Sequence, residues 1–382
     1  MKNPKALGID LGKKSFHVAV ADGAAPEQFS VHEIPFKVDN WRDKLVSLVP
    51  MGATVVLEPT GTYYAAPVLA ALPRVHVWYA NHDTAKYLRR LYLSKSKTDA
   101  IDARALAIAA AQIAAGTEVR GARLYRPEVA EPVAALRVLV SNYVKATRET
   151  TRALNRLDAI MHSIAPEIVP FKAKYAAAVA ANPALEVDPA ALIEAGRPAN
   201  MTGQGWGHQR RMLEKIAEYW RWPYPATVEA LRALALDLHF MGMRREHAGH
   251  AIRETLARPP FVQIAALWST VPLATPVEVA ALLVACGGDP LSISKDQFTR
   301  ACGVAPSRYQ SGATDRTSKE ARPGYRPAMA YLHLHMMGLI SELAPANPIQ
   351  EFRARGKSGG ACKRKLAAIF HGIALAGEPC RW

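Results

Sequence analysis

The chain has 382 residues, half of them hydrophobic, which is enough for more than one core and predicts two or three domains. Its 48 Lys and Arg against 33 Asp and Glu give a net charge of +15, which favours a polyanionic partner; a merely basic enzyme is the alternative. Four cysteines without CxxC spacing argue against a zinc site or a disulfide framework. No apolar leader and no run of about 18 apolar residues occurs, so we expect a soluble, cytoplasmic protein without a membrane partner.

The first third of the chain predicts strands that end in acidic residues. Residues 6–21 (ALGIDLGKKSFHVAVA) are typical of a β-hairpin, with Asp10 at the end of the first apolar run. The run Ala53 to Leu57 is typical of a buried strand and leads directly into Glu58, before the strand-ending Pro-Thr-Gly. A carboxylate is therefore expected where each of these two strands ends.

A second acidic feature lies in the stretch KSKTDAIDARALA, Lys95 to Ala107. It follows a predicted strand over 75–80 and a helix from about Thr84 to Arg90. Asp99 and Asp102 fall three residues apart at the start of an alanine-rich helix, where side chains at i and i+3 share one face about 5–6 Å apart. Taken alone, the pair is typical of an ordinary acidic first turn favoured by the helix dipole.

The four carboxylates, taken together, predict a metal site. Strands alternating with helices indicate an α/β domain, whose site usually lies at strand ends. The acids Asp10, Glu58, Asp99 and Asp102 have no evident basic partners in the sequence, and converging carboxylates without partners need a cation. Oxygen-only ligation favours Mg²⁺ or Mn²⁺, and two such ions about 4 Å apart would suit phosphodiester chemistry.

The strings GIDLGKKSFHVAV, LEPTGTYY and KSKTDAIDARALA, in this order, resemble the DEDD transposase family of insertion sequences, relatives of the pilin-gene invertase. On that resemblance Asp10 matches the family's first aspartate, Glu58 its glutamate in E-x-T-G, and Asp99 and Asp102 its K-T-D-x-x-D-A pair. The resemblance implies a Holliday-junction-resolvase-like domain of the ribonuclease H class that binds metal through these four residues. Some members of the family are recombinases guided by a bridge RNA.

The middle of the chain predicts long helices. Residues 131–164 contain no glycine and carry apolar residues at helical spacing, which predicts a helix of roughly 30 residues. Its opposite face is basic and includes Arg148 and Arg152, which indicates either a solvated face or contact with phosphates. Further helices over about 209–220 and 227–257 suggest an antiparallel coiled-coil arm, where the family resemblance places assembly and nucleic-acid contacts.

The last third contains the candidate nucleophile. Two short helices over 261–268 and 277–285 flank a turn at Pro272 to Pro276 that lacks the glycines of the family's hairpin. The block DQFTRACGVAPSRYQSGA resembles the family pattern F-x-x-A-x-G-x-x-P-x-x-x-x-S-G. By pattern alone, Ser311 is a turn residue in a polar loop. The resemblance implies instead that Ser311 attacks a DNA phosphodiester and forms a phosphoserine link, with the site completed across subunits of an oligomer.

Residues 319–326 depart from the family's S-K-x-G-N-x-x-x-R, since the Gly-Asn step is missing. Six basic residues are candidate nucleic-acid contacts, namely Lys97, Arg104, Arg148, Arg152, Arg322 and Arg326. The basic stretch from Arg353 to Lys365 predicts a flexible or helical nucleic-acid contact near the end of the chain. The histidines at 333 and 335 are typical of helix-face residues rather than ligands.

These observations predict an α/β plus all-α protein with four parts. They are a ribonuclease-H-like domain over 1–128, a helical coiled-coil arm over 129–258, a small helical domain with Ser311 over 259–345, and a basic tail over 346–382. We expect a metal-dependent DNA transposase or recombinase of prokaryotic, nucleoid-associated location. Its partners would be donor and target DNA, a bridge RNA implied by the resemblance, and further copies of the chain as dimer or tetramer.

Three alternatives remain open at this point. A structure-specific endonuclease would use the acids with water and leave Ser311 without a role. An actin-like kinase is suggested by GIDLG before a hairpin, although no later Asp-x-Gly turn follows. A non-enzymatic RNA-binding protein would not need Asp99.

Overall fold

The structure is a computed structural model that describes residues 6–21, 29–58, 65–72, 74–93, 96–164, 169, 172–181, 193–194, 197, 202–218, 225–311, 314–318 and 324–382. The chain divides into two compact units. The N-terminal unit comprises Met1–Ala130 and the C-terminal unit Glu131–Trp382. Among the helices in the described ranges, none is long and apolar enough to cross a membrane.

The N-terminal unit is built on a six-stranded mixed sheet. Its strands are β1 (Ala6–Leu11), β2 (Ser15–Ala21), β3 (Phe29–Pro35), β4 (Thr54–Leu57), β5 (His76–Ala80) and β6 (Ala122–Leu124). Their order across the sheet is β3-β2-β1-β4-β5-β6. The first three strands run antiparallel, β4 and β5 join in parallel, and β6 closes the edge antiparallel to β5. This mixed α/β sheet is consistent with a ribonuclease-H-like domain, and it contains the hairpin predicted over 6–21.

Helices cover both faces of this sheet. They are α1 (Trp41–Leu48), α2 (Ala65–Ala71), α3 (His82–Tyr92) and α4 (Asp99–Ala114). One core joins Leu45 of α1 and Val68 of α2 to β1, β2 and β4. A second core joins Leu88 of α3 and Leu106 of α4 to the opposite face. Strand β4 is buried along its whole length, as its apolar sequence predicts for a central strand covered on both sides.

Long helices begin the C-terminal unit. They are α5 (Pro127–Ile164), which starts in the preceding unit, α6 (Lys172–Ala181), α7 (Gly203–Ala217) and α8 (Pro225–Leu256). The helix predicted over 131–164 is thus present and starts slightly earlier. A shared apolar core contains Leu157 of α5, Val179 of α6, Leu213 of α7 and Leu231 of α8. These helices pack together as a bundle, and a coiled-coil form of the arm stays a prediction.

The remaining helices are α9 (Val262–Trp268), α10 (Pro276–Cys286), α11 (Lys295–Ala301), α12 (Arg326–Leu339), α13 (Pro348–Ala354) and α14 (Gly359–Ala376), with a 3₁₀ turn at Pro290–Ser292. Strands β7 (Ser307–Ser311) and β8 (Thr314–Ser318) form an antiparallel hairpin. This part was predicted to be purely helical, and the hairpin corrects that expectation. Its two strands are polar and carry no apolar alternation, so no strand could be predicted there from the pattern of residues.

Residues 346–382, predicted as a basic tail, contain the core helix α14. Trp268 donates a hydrogen bond from Nε1 to the carbonyl oxygen of Phe370 at 2.7 Å. The rings of Trp268, Phe298 and Phe370 are fully buried, and Trp268 packs edge-on against Phe370 at 5.7 Å. This stretch is therefore part of the folded C-terminal unit, although its lysines and arginines give it a basic sequence.

Candidate metal centre and nucleophile

Strand register places Asp10 and Glu58 side by side. Ile9 of β1 pairs with Leu57 of β4 in the parallel ladder, so the next residue along each strand is Asp10 and Glu58 respectively. Both are buried, with 9% and 7% of their surface exposed. Neighbouring parallel strands that end together bring their last side chains to one edge of the sheet. The sequence predicted this edge correctly from the acid that follows each apolar run.

Asp99 and Asp102 lie in the first turn of α4. Thr98 caps this helix, and its hydroxyl oxygen accepts a hydrogen bond from the amide of Ile101 at 3.2 Å. Asp102 is buried, whereas Asp99 is exposed. The helix start was predicted from the motif, and the cap explains why the helix begins at Asp99.

Asp10 interacts electrostatically with the other three acids. Burial first, and then repulsion from Asp99, Asp102 and Glu58, raise the pKa of Asp10 from 3.8 to about 7, while Lys97 lowers it. Such repulsion requires nearby charges, because it falls off with distance. Asp99, Asp102 and Glu58 therefore all lie close enough to Asp10 to act on its charge.

Two of these acids have basic partners, which corrects the expectation that they have none. Arg89 of α3 lies with Nη1 2.5 Å from Oδ1 of Asp102, and both side chains are buried. His82, the first residue of α3, lies with Nδ1 3.0 Å from Oε1 of Glu58. The sequence analysis placed Arg89 within a predicted helix and assigned it no role. A usable signal was its position four residues after buried Ala85, on the apolar face of α3.

These partners bear on how well the acids fit a divalent cation. In the described part of the chain, no three His, Cys, Asp or Glu side chains are grouped closely enough to form a ready-made metal site. The donors are nevertheless all carboxylate oxygens, the type that Mg²⁺ and Mn²⁺ prefer. Repulsion at Asp10 is the condition that a divalent cation relieves. By the chemistry of their donor atoms, the four acids therefore suit a divalent cation.

The candidate nucleophile lies in the other unit. Ser311 ends β7 and pairs with Thr314 of β8, rather than occupying the turn that its local sequence predicted. The residues directly after it, 312–313, are outside the described residues. The acids belong to the N-terminal unit and Ser311 to the C-terminal unit.

The predicted nucleic-acid contacts are mostly exposed. Lys97, Arg104, Arg148, Arg152 and Arg326 are exposed, and Arg322 lies outside the described residues. Arg152 and Arg156 line one cavity together with Glu149 and Asp237, so acids neutralise part of this helix face. Trp206 packs partly buried against the core of the helical bundle.

A buried polar pair in the C-terminal unit was not predicted. His335 of α12 lies with Nδ1 2.7 Å from Oε2 of Glu278 in α10, and Nε2 donates to the carbonyl oxygen of Pro272 at 2.7 Å. Two unprotonated acceptors at that distance would repel, so a proton lies between Glu278 and His335. Burial raises the pKa of Glu278. His335 thus anchors the turn at Pro272, where Leu273 adopts a φ of 68°.

Comparison with known proteins found one similarity, which covers the N-terminal unit and its acidic residues. The comparison with curated proteins found no match. A family model, DEDD_Tnp_IS110, described as Transposase, matches residues 7–166. The matched range contains the whole acidic site and the start of the long helix α5. Over residues 7–166, which are fewer than half of its residues, the chain is therefore similar to transposases of this family.

Proposed function

We propose that the chain is a metal-dependent DNA transposase or recombinase that works through a covalent phosphoserine intermediate. One observation carries this proposal: burial, and then repulsion from the three carboxylates of Asp99, Asp102 and Glu58, raise the pKa of Asp10 to about 7. Buried repulsion of this kind is costly, and sites that retain it usually do so for chemistry. The transposase match over residues 7–166 supplies the reaction class.

Asp10, Glu58, Asp99 and Asp102 would hold Mg²⁺ or Mn²⁺. When bound, a divalent ion of this kind activates the attacking group and stabilises charge on the leaving oxygen. Exposed Lys97 lies near enough to Asp10 to lower its pKa, and it is placed to attract the phosphate backbone of a substrate. The buried acids would orient the ligands, while exposed Asp99 faces the solvent from which DNA approaches.

Ser311 would be the nucleophile. Its Oγ forms a bond to phosphorus as the bond from phosphorus to one deoxyribose oxygen breaks. The serine proton passes to a base, and the released sugar oxygen takes up a proton. Attack by a second DNA end on the phosphoserine reverses these changes and rejoins the strands. A serine hydroxyl is a weak nucleophile without activation, so the step depends on the acidic site.

The family resemblance implies an active site that is shared between copies in an oligomer, and the acids and Ser311 belong to different units of the chain. In this arrangement the N-terminal unit of one copy would meet the C-terminal unit of another. A structured bridge RNA is the proposed guide, and it rests on the family resemblance together with the net charge of +15. Sequencing of nucleic acid that copurifies with the protein tests the guide: a single abundant structured RNA supports it, and random fragments contradict it.

Trapping a protein–DNA adduct tests the nucleophile. With Mg²⁺ and labelled donor DNA, the wild type should give a covalent adduct that Ser311→Ala does not give. Ser307→Ala, at the other end of the same strand, is the matched control and should give the adduct. Normal strand exchange by Ser311→Ala would refute the serine mechanism.

Mixing two inactive variants tests the shared site. Asp102→Ala and Ser311→Ala should each lack strand exchange. Because each variant keeps the group that the other has lost, co-assembled mixtures should recover a fraction of activity. If the mixture stays inactive while both variants co-assemble, the acids and the serine act within one copy.

A second candidate is a junction-resolvase-like endonuclease that hydrolyses DNA with water. The observation that favours it is that all four acids lie in the N-terminal unit, so an acidic site forms without Ser311. This alternative predicts metal-dependent nicking that Ser311→Ala leaves intact, with no rejoined product. The adduct experiment separates the two candidates directly.

A further inference from the structure

The ion pair between Arg89 and Asp102 is the most buried contact of the acidic site. Nη1 of Arg89 lies 2.5 Å from Oδ1 of Asp102, and the two side chains are only 8% and 9% exposed. By comparison, His82 beside Glu58 is 60% exposed. Arg89 therefore meets an acid of the site in a dry environment, where a charge–charge contact is strong.

Packing does not account for an arginine at this position. Arg89 lies on the face of α3 that buries Ala85 and Leu88, and a buried ion pair there stabilises a fold no better than apolar side chains would. Its Nε is buried and has no hydrogen-bond partner among the residues that the structure describes. The guanidinium thus contacts Asp102 while its Nε donor remains unsatisfied. We infer that the contact with Asp102, rather than packing, explains why an arginine occupies position 89.

The contact also determines which oxygen of Asp102 is available. Arg89 engages Oδ1, and no described side chain donates a hydrogen bond to Oδ2. Asp102 is also one of the three carboxylates that repel Asp10, so it lies close to the other acids of the site. A carboxylate held through one oxygen can present the other to a cation, which is how outer partners orient metal ligands.

We propose that Arg89 is a positioning residue of the metal site: it holds the Asp102 carboxylate through Oδ1 and leaves Oδ2 for the divalent cation. The inference rests on the proposed metal site. Before the cation binds, the positive charge of Arg89 balances the negative charge of Asp102. This lowers the cost of burying Asp102 while the cation is absent. After binding, the same contact keeps Asp102 from rotating away.

The neighbouring residue supplies a matched control. Arg90 belongs to the same helix and carries the same charge, but it is exposed. Binding of Mn²⁺ to the full chain, measured by calorimetry and by the electron paramagnetic resonance signal of free Mn²⁺, compares wild type, Arg89→Met, Arg89→Lys and Arg90→Met. Circular dichroism checks that each variant is folded.

We expect Arg89→Met to bind Mn²⁺ about 10–100-fold more weakly than the wild type, the range typical for loss of an orienting partner. Arg89→Lys should recover part of the affinity, because it restores the charge without the planar fork. Arg90→Met should bind as the wild type does. If Arg89→Met does not fold, Arg89→Lys carries the test, and wild-type affinity in that variant would overturn the proposal.

Two failures can be told apart. If the wild type binds Mn²⁺ and Arg89→Met binds equally or more tightly, the role of Arg89 is wrong and the metal site stands. If the wild type does not bind Mn²⁺ at all, the metal site itself is wrong, and the role of Arg89 falls with it.

Discussion

A Cβ atom added to Gly8 would lie 2.1 Å from the carbonyl oxygen of Ala103. It would also lie 2.2 Å from the amide nitrogen of Ala107. Strand β1 and helix α4 are therefore in backbone contact, with no room for any side chain at Gly8. This approach brings Asp10, two residues further along β1, next to Asp102 on the first turns of α4.

Replacement of Gly8 by alanine should destabilise the N-terminal unit by about 3 kcal/mol, because the helix must move away from the sheet. Thermal unfolding of the full chain measures the loss, and Mn²⁺ affinity should fall with it as Asp102 moves. Gly242→Ala is the control, since nothing lies within 4 Å of that position in helix α8. It should raise stability by about 0.5–1 kcal/mol. A fully stable Gly8→Ala protein would contradict the close packing.

Asp10→Asn should make the metal-free protein more stable. The same change should abolish the activity that the protein has when metal is present. The pKa of Asp10 is raised from 3.8 to about 7, so above pH 3.8 the folded state keeps a proton that the unfolded chain releases. Asp10 therefore destabilises the fold increasingly as pH rises towards 7, and asparagine removes that effect. At pH 8 we expect a gain on the order of 2–4 kcal/mol.

Thermal unfolding in the presence of a chelator at pH 5 and pH 8 measures this gain. The difference between Asp10→Asn and wild type should be small at pH 5 and larger at pH 8. Asp39→Asn, an exposed carboxylate of the same unit, should show no such growth. A gain that stays constant with pH would mean that the pKa of Asp10 is not raised in the folded protein.

The acidic site shows which relationships a sequence can reveal. Asp10 and Glu58 were predicted because apolar strands end at them, and the spacing of Asp99 and Asp102 follows from helix geometry. The contact of Arg89 with Asp102 was missed, because it depends on how α3 packs against α4. Helix periodicity predicts which face of α3 is buried, but it does not predict which residues of other elements pack against that face.

The C-terminal unit was harder to predict for a related reason. Glu278 and His335 are far apart in the sequence, and each resembles an ordinary helix-face residue until α10 and α12 pack. Ser311 was expected in a loop because the hairpin has no apolar alternation. In both cases the fold depends on pairing between segments rather than on local pattern.

Glu278→Gln should reduce the pH dependence of the stability of the C-terminal unit. Burial raises the pKa of Glu278 above its ordinary value of 4.5, so the folded protein retains a proton that the unfolded chain loses above that pH. Stability should therefore fall as pH rises from 4.5 towards the folded pKa, by about 1.4 kcal/mol per pH unit.

Urea unfolding of wild type and Glu278→Gln from pH 5 to pH 9 measures this effect. The glutamine keeps the shape and can still donate to Nδ1 of His335, so its stability should vary less with pH. Glu342→Gln, in a less buried position of the same unit, is the control. Parallel pH profiles for wild type and Glu278→Gln would show that the pair does not hold the extra proton.

Phe370→Ala should cost about 3–5 kcal/mol, as expected for a buried aromatic residue. The side chain is fully buried against Trp268, although it belongs to the stretch predicted as a basic tail. Leu375→Ala on the same helix is the control, because Leu375 is 61% exposed and its loss should change stability by less than about 0.5 kcal/mol. Chemical denaturation compares the two. A neutral Phe370→Ala would restore the tail interpretation.

Arg148→Gln should weaken binding to nonspecific duplex DNA and reduce the slope of log affinity against log salt by about 1. The reason is loss of one phosphate contact by an exposed arginine of α5. Arg210→Gln is the control, since Nε of Arg210 lies 2.8 Å from Glu214 and is already paired. Fluorescence anisotropy at several salt concentrations gives both slopes. Equal slopes would remove this helix face from the DNA contact.

Of the four carboxylates, Asp99 alone is exposed, which sets how quickly a bound ion could exchange. An ion held partly by a solvent-facing ligand can leave and return without opening the sheet or separating α4 from β1. Chelation should therefore strip the protein within the time of mixing and leave its circular dichroism unchanged. Added Mg²⁺ should restore activity without a refolding lag, so the occupancy of the site would follow the free ion concentration around it.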